Sequence, residues 1–242
     1  PNAYITGKRT SSGIAVDVSE RTTGGPGGFI QRSLYFNGGI SINGGTGQYI
    51  VLPLSGENVP TTGYLRNVSG FTHSIWLNLN SSASQDFIIG TDVSGSSLQR
   101  AAVDMTNAAV GFNMRSTVIA PDIPTNNFNS SNTLLENTWY HIVCAADFSA
   151  NTVRHYINGE LWLNTTGAFT SNTTTNRNLS GFRLGTHGSF PDVDDDKING
   201  WLADYRLYHR ELGVSEVIKL YSRGVDFCVS GLLQTLQANS PT

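Results

Sequence analysis

The chain has 242 residues, a net charge of −3 and a charged fraction of only 14%. Lysine occurs only at Lys8, Lys197 and Lys219, so no basic stripe exists to track a nucleic acid. No run approaches the ~18 apolar residues of a membrane-spanning helix, and neither nucleic acid nor membrane is an expected partner.

Gly, Ser, Thr and Asn are abundant, and short apolar runs recur between turn residues. This pattern predicts one all-β domain, a sandwich or barrel, large enough to bury a core without disulfide staples. The start, Pro1-Asn2-Ala3-Tyr4, has neither the basic nor the apolar segment of a secretion signal. No leader is expected there, and a terminal Pro suits both a trimmed nascent chain and a processed precursor.

In chain order, residues 1–31 read as a flexible N-terminal arm. Ile14 to Val18 is a short edge-strand pattern, and Thr22-Thr23-Gly24-Gly25-Pro26-Gly27-Gly28 reads as a joint, because Gly loses the most entropy on ordering and Pro cannot join a ladder. The compact domain is expected over 32–228. Ser33-Leu34-Tyr35-Phe36-Asn37-Gly38 is a strand running into a turn, and Gln48-Tyr49-Ile50-Val51-Leu52 is the next. In Phe71-Thr72-His73-Ser74-Ile75-Trp76-Leu77-Asn78-Leu79, Phe71, His73, Ile75, Leu77 and Leu79 share one face and Trp76 takes the other.

Residues 87–90, 98–105 and 109–114 continue the meander, and 116–137, with Pro121 and Pro124, reads as a long connection. Trp139 to Asp147 and Val153 to Leu161 are neighbouring antiparallel strands. Asn158-Gly159 marks a tight hairpin turn, since both residues tolerate positive φ. After a Thr/Asn-rich loop over 164–178 come strands at 182–185 and 200–208, where Trp201, Ala203, Tyr205 and Leu207 alternate with Leu202, Asp204, Arg206 and Tyr208. Val214, Val217, Ile218 and Tyr221 share one helical face, Gly224 follows as a C-cap, and this helix is expected to seal one end of the sandwich. Residues 229–242 form a tail whose Leu232, Leu233 and Leu236 pack on the body or on a neighbour.

Cys144 sits in an apolar strand and reads as a buried small hydrophobe, while a bridge to Cys228 is a question of geometry.

These landmarks, in this order over about residues 33–224, resemble the laminin-G-like, concanavalin-A-like jelly-roll domains. The resemblance implies an all-β, two-sheet antiparallel jelly-roll sandwich with one short C-terminal helix. On that fold, Trp76, Trp139 and Trp201 are expected in the core, where a large aromatic contributes on the order of 2–3 kcal/mol. Trp162, near a turn, is the tryptophan expected to stack on a ligand.

Chemistry is harder to find. The β-glucan-cleaving enzymes that resemble one another on this fold carry closely spaced acids on one strand, and retaining cleavage needs two carboxyls about 5–5.5 Å apart. The glutamates, at positions 20, 57, 136, 160, 211 and 216, offer no such pair, and Asp204 stands alone among apolar neighbours. The histidines at 73, 141, 155, 187 and 209 are scattered and read as structural. No enzyme activity is therefore expected.

Asp192-Val193-Asp194-Asp195-Asp196-Lys197 is the best metal sequence, and Asp192, Asp194 and Asp196 are the calcium ligands it offers, against a merely solvated acidic loop. Six Asn-x-Ser/Thr sequons, from Asn67, Asn80, Asn129, Asn164, Asn172 and Asn178, matter only in a eukaryotic secreted protein.

Two functions follow as expectations. One is a virion-surface decoration, fibre or adhesion protein, partnered with its own copies or with capsid and fibre proteins through the arm and tail. The alternative is an extracellular or cell-surface carbohydrate-binding module. Its glycan contacts would be Trp162, Tyr64, His187 and Phe190, where rings stack on sugar faces, with the aspartates supplying hydrogen bonds or calcium. A glycoside-active enzyme ranks third.

Overall fold

A computed structural model describes residues 21–37, 41–42, 45–46, 50–51, 69–81, 86–91, 100–106, 109–115, 126–166, 182–185 and 198–225. The strands are β1 (Arg21–Gly27), β2 (Ile30–Asn37), β3 (Ser41–Ile42), β4 (Gly45–Thr46), β5 (Ile50–Val51), β6 (Gly70–Ser81), β7 (Asp86–Thr91) and β8 (Arg100–Thr106). They continue with β9 (Ala109–Arg115), β10 (Asn126–Thr133), β11 (Trp139–Asp147), β12 (Thr152–Ile157), β13 (Glu160–Thr166), β14 (Phe182–Leu184) and β15 (Asn199–Tyr208), followed by helix α1 (Val214–Ser222).

A seven-stranded sheet runs β1-β2-β15-β6-β11-β12-β13, a six-stranded sheet runs β10-β9-β8-β7-β14-β5, and β3-β4 form a small ribbon. The large sheets face each other across one core. Phe36, Phe71, Ile75, Leu77, Leu79, Ile142, Cys144 and Leu202 of the first meet Ile88, Ile89, Val103 and Leu184 of the second. Each such side chain contributes on the order of 2 kcal/mol by leaving water. This is the expected jelly-roll sandwich, and the two faces of β6 divide as the alternation predicted. The turn at Asn158-Gly159 forms as expected: both residues have positive φ, and Ile157 pairs with Glu160.

Three expectations change. The joint at Thr22–Gly28 is instead edge strand β1 through Gly27, paired with β2, with its register shifting between Thr23 and Gly27 where the glycines lie. An edge position tolerates Pro26 because one side of the strand needs no donor. Residues 21–31 thus belong to the sheet, whereas 1–20 and 226–242 lie outside the described residues. The connection 116–137 contains strand β10, whose polar Asn/Ser sequence gave no apolar alternation; its pairing to β9 supplies the order that propensity does not.

The third change concerns the helix. It lies across the outer face of the seven-stranded sheet, away from the sandwich core. Val217, with Leu220 beside it, packs on Val143, Tyr156 and Leu212. Tyr221 and Val225 pack on Ile30, Trp76 and Ala203. Val214 and Ile218 stay about half exposed, so the buried stripe is rotated from the one predicted.

The entry to α1 is well fastened. Thr72 Oγ1 donates to the Arg210 carbonyl at 2.8 Å and accepts the Leu212 N–H at 3.0 Å. Gly213, at the N-cap, has no side chain to offer, so capping falls to Glu216, whose carboxylate accepts the Gly213 N–H at 3.1 Å. The Arg210 fork grips the same carboxylate at 2.6 and 2.7 Å. The Arg210 hydrogen bonds, then the Gly213 N–H, hold the Glu216 carboxyl down at about 2.

At the helix exit, Gly224 lies flat against the Trp76 indole, and a β-carbon there would fall inside van der Waals contact with the ring. Gly224→Ala is therefore expected to cost about 2 kcal/mol and lower the Tm by roughly 4–8 °C in thermal unfolding. An unchanged Tm would mean that the helix end is not seated on Trp76.

Candidate functional site

Of the residues predicted to hold a ligand, only Trp162 is described. It is the third residue of β13, the edge strand of the seven-stranded sheet, half-buried and packed against the main core. It is thus a strand residue, the extra one at the bulge where β13 shifts register opposite His155 and Tyr156. Tyr64, His187, Phe190, Asp192, Asp194 and Asp196 lie outside the described residues, as does Cys228.

The segments that carry them are nonetheless rooted at known places. Gly185 and Ile198 bracket the acidic segment and are joined by the Ile198 N–H donating to the Gly185 carbonyl at 3.3 Å. They stand at the end of the sandwich where Asn199 pairs with Asn37 and Ser81. Ser69, which closes the segment holding Tyr64, stands at the other end, its carbonyl accepting the Phe148 N–H at 2.8 Å. Among the described residues, no three His, Cys, Asp or Glu side chains gather as a metal site. Nor is any helix there long and apolar enough to cross a membrane.

The groups that resemble catalytic ones are engaged or sealed. Asp204 does not stand alone: the Arg206 guanidinium binds its carboxylate through both oxygens at 2.9–3.0 Å. Asp204 has a φ of 46° and sits where Ala203 pairs with Trp76 but Arg206 pairs with Ser74, which leaves one extra residue in β15. The bulge reverses the alternation. Leu202 points to the core before it, and Tyr205 and Leu207 do so after it, so the predicted shared face of Trp201, Ala203, Tyr205 and Leu207 is broken.

Ser74 Oγ and His141 Nε2 share a hydrogen bond at 2.9 Å, as in a nucleophile–base pair. Both are 1% exposed. The imidazole lies against Trp76, with centroids 5.1 Å apart, and stacks with Tyr221 of α1 at 6.2 Å. Its Nδ1 has no partner to orient it. The pair lies buried beneath the helix, against Trp76 and Tyr221.

The described outer face also holds a row that sequence alone did not mark. In register, Tyr35 of β2 pairs with Trp201 of β15, Trp201 with Asn78 of β6, and Asn78 with Trp139 of β11. All four are half-buried, so Trp139 and Trp201 are not the core residues expected, and buried Trp76 lies under α1 and not between the sheets. Tyr35 and Trp201 have ring centroids 4.9 Å apart at 47°. The Tyr35 hydroxyl donates to Asn199 Oδ1 at 3.2 Å and accepts from Asn80 Nδ2 at 3.4 Å. The available signal was the sequence Trp76-x-Asn78-x-Asn80, polar positions alternating with the buried Ile75, Leu77 and Leu79.

Architecture and site define a two-sheet antiparallel jelly roll that carries its aromatic and amide groups on a sheet face. The chain belongs to the Concanavalin A-like lectin/glucanases superfamily, whose laminin-G-type profile matches residues 43–218. Among solved structures it is similar to domain 4 of AbnA, an extracellular GH43 arabinanase from Geobacillus stearothermophilus, in complex with arabinotriose. That likeness has a TM-score of 0.60 at 17% identity and covers 90% of this chain and 87% of that one. It is also similar to a structure of botulinum neurotoxin type C, whose cell entry depends on two ganglioside molecules. There the TM-score is 0.55 at 16% identity, over 92% of this chain and 51% of that one. At these identities the likeness is one of fold. No curated protein matches the chain.

Acid sensitivity follows from the buried histidines. Burial, with the Arg206 charge adding to it, lowers His141 to about 3, and burial alone does the same to His155. The unfolded chain takes up these protons below about pH 6.5 and the folded chain does not, so stability falls as pH drops from there towards 3. Urea unfolding between pH 7 and 4 should show a loss of up to ~1.4 kcal/mol per pH unit for each histidine. His141→Gln should reduce that slope by about half; a flat profile would mean that neither imidazole is kept neutral by the fold.

Proposed function

We propose that the chain is a carbohydrate-binding module that works outside the cell, secreted or at the cell surface, and holds its glycan without cutting it. The observation that carries this reading is the fold shared over 90% of the chain with a domain solved with arabinotriose. The family is named for lectins as well as glucanases, and a second similar structure is of a toxin that depends on gangliosides. These findings favour glycan binding over the virion-surface protein expected first from the sequence. A binding role also suits the chemistry, since Asp204 is occupied by Arg206 and the Ser74–His141 pair is sealed.

In this reading the rings of Trp162, Tyr64, His187 and Phe190 supply the ligand contacts. Calcium held by Asp192, Asp194 and Asp196 would offer its open positions to sugar hydroxyls.

The test is a panel of neutral and sialylated glycans, arabinan oligosaccharides included, titrated with and without a calcium chelator. Expected are binding to at least one glycan, weakening of about tenfold (~1.4 kcal/mol) on chelation or in Asp192→Asn/Asp194→Asn, and no release of reducing ends. Binding to no glycan in either condition overturns the reading. Product formation overturns its non-catalytic part.

A further inference from the structure

The geometry points to a second saccharide-binding surface on this chain: the outer-face row Tyr35–Trp201–Asn78–Trp139, flanked by Asn80 and Asn199, as a platform for a neutral oligosaccharide. The inference rests on the carbohydrate-binding reading above, but it assigns the contacts to a sheet face and needs no calcium.

Register carries the first part of the argument. The four residues occupy adjacent strands at matching positions on one face. Strands lie about 5 Å apart, so Trp201 and Trp139 flank Asn78 with ~10 Å between them, on the scale of a disaccharide laid across the strands. The rings are also held in place. Trp201 leans on Tyr35, and Trp139 packs against the Trp76 cluster under the helix end. Tyr35 is positioned in turn by Asn80 and Asn199 at its hydroxyl. Aromatic surface that is ordered before binding loses little entropy when a ligand arrives.

Chemical complementarity carries the second part. A sugar ring presents apolar C–H faces, which suit indole and phenol rings, and hydroxyl edges, which need paired donors and acceptors. Asn side chains supply both. None of the six residues is charged, so the surface suits a neutral glycan. Among the described residues, Arg154–Glu211, Asp204–Arg206 and Arg210–Glu216 form ion pairs elsewhere on the chain.

Packing accounts for the rings but leaves the central amide unexplained. Asn78 Oδ1 is buried between the two tryptophan positions with no hydrogen-bond partner, a costly arrangement in the absence of a compensating group. A turn of that amide towards a hydroxyl of a bound sugar satisfies it.

The experiment titrates wild type and variants with the glycan panel in the presence of chelator and in a Trp162→Ala background, which removes the one described ring of the first site. Residual binding is expected, and Trp201→Ala should lower it about tenfold or more. Asn80→Ala and Tyr35→Phe, which keep the platform rings, should lower it several-fold and decide the matter if Trp201→Ala fails to fold by circular dichroism. Binding that disappears with chelator and Trp162→Ala, yet is unchanged in folded Trp201→Ala and Asn80→Ala made in the wild-type background, overturns this inference and leaves the carbohydrate-binding reading standing. Wild type that binds no glycan overturns both.

Discussion

From Phe71 to Leu77, strand β6 is buried on both of its faces, and the rest of the molecule is arranged around that fact. Phe71, Ile75, Leu77 and Leu79 fill the space between the sheets, while Thr72 and Trp76 meet the segment that carries α1 and Ser74 bonds His141. A central strand buried on one side only would leave Trp76 and the Ser74–His141 pair in water. The helix removes that exposure: Tyr221 stacks on Trp76 at 5.7 Å, and Gly224 lets the chain pass directly over the indole. Polar groups sealed in this way stay bonded to one another or idle, so their chemistry is spent on holding the fold.

The helix also determines what remains open. It covers the stretch of the outer face around Ser74, Trp76, Val143 and Tyr156 and stops at the row of Tyr35, Trp201, Asn78 and Trp139. One face of one sheet therefore has two roles, a capped half that contributes stability and a half-exposed half rich in rings and amides. A rigid sheet is well suited to present such groups, because cross-strand neighbours fix their spacing and cost no loop ordering.

The sandwich was legible in the sequence because its evidence is local. The alternation in residues 71–79, the Asn158-Gly159 turn and the apolar run around Cys144 each act within a few residues, and each appears where expected. The elements that escaped notice, β1 and β10, have glycine- and asparagine-rich sequences with weak strand preference, and they exist because a neighbouring strand pairs with them. The candidate site was less legible. Trp139 and Trp201 read as core residues because size and strand context alone cannot say which side of a sheet a ring occupies. The bulge at Asp204 adds one residue to β15 and so exchanges the faces of everything after it, and no turn residue announces it.

By itself, the order of apolar, turn and polar residues determined the fold class, the family likeness, the strands of the central sheet and the presence of one helix near the end of the chain. Those features follow from local preference and periodicity, which a linear sequence contains. Tertiary structure alone decided that α1 lies on a sheet face, that Ser74 and His141 are hidden beneath it, and that Tyr35, Trp201, Asn78 and Trp139 stand in one line. The reason is that each depends on strand register between segments as far apart as Tyr35 and Trp201, and register is settled only when whole faces are buried together.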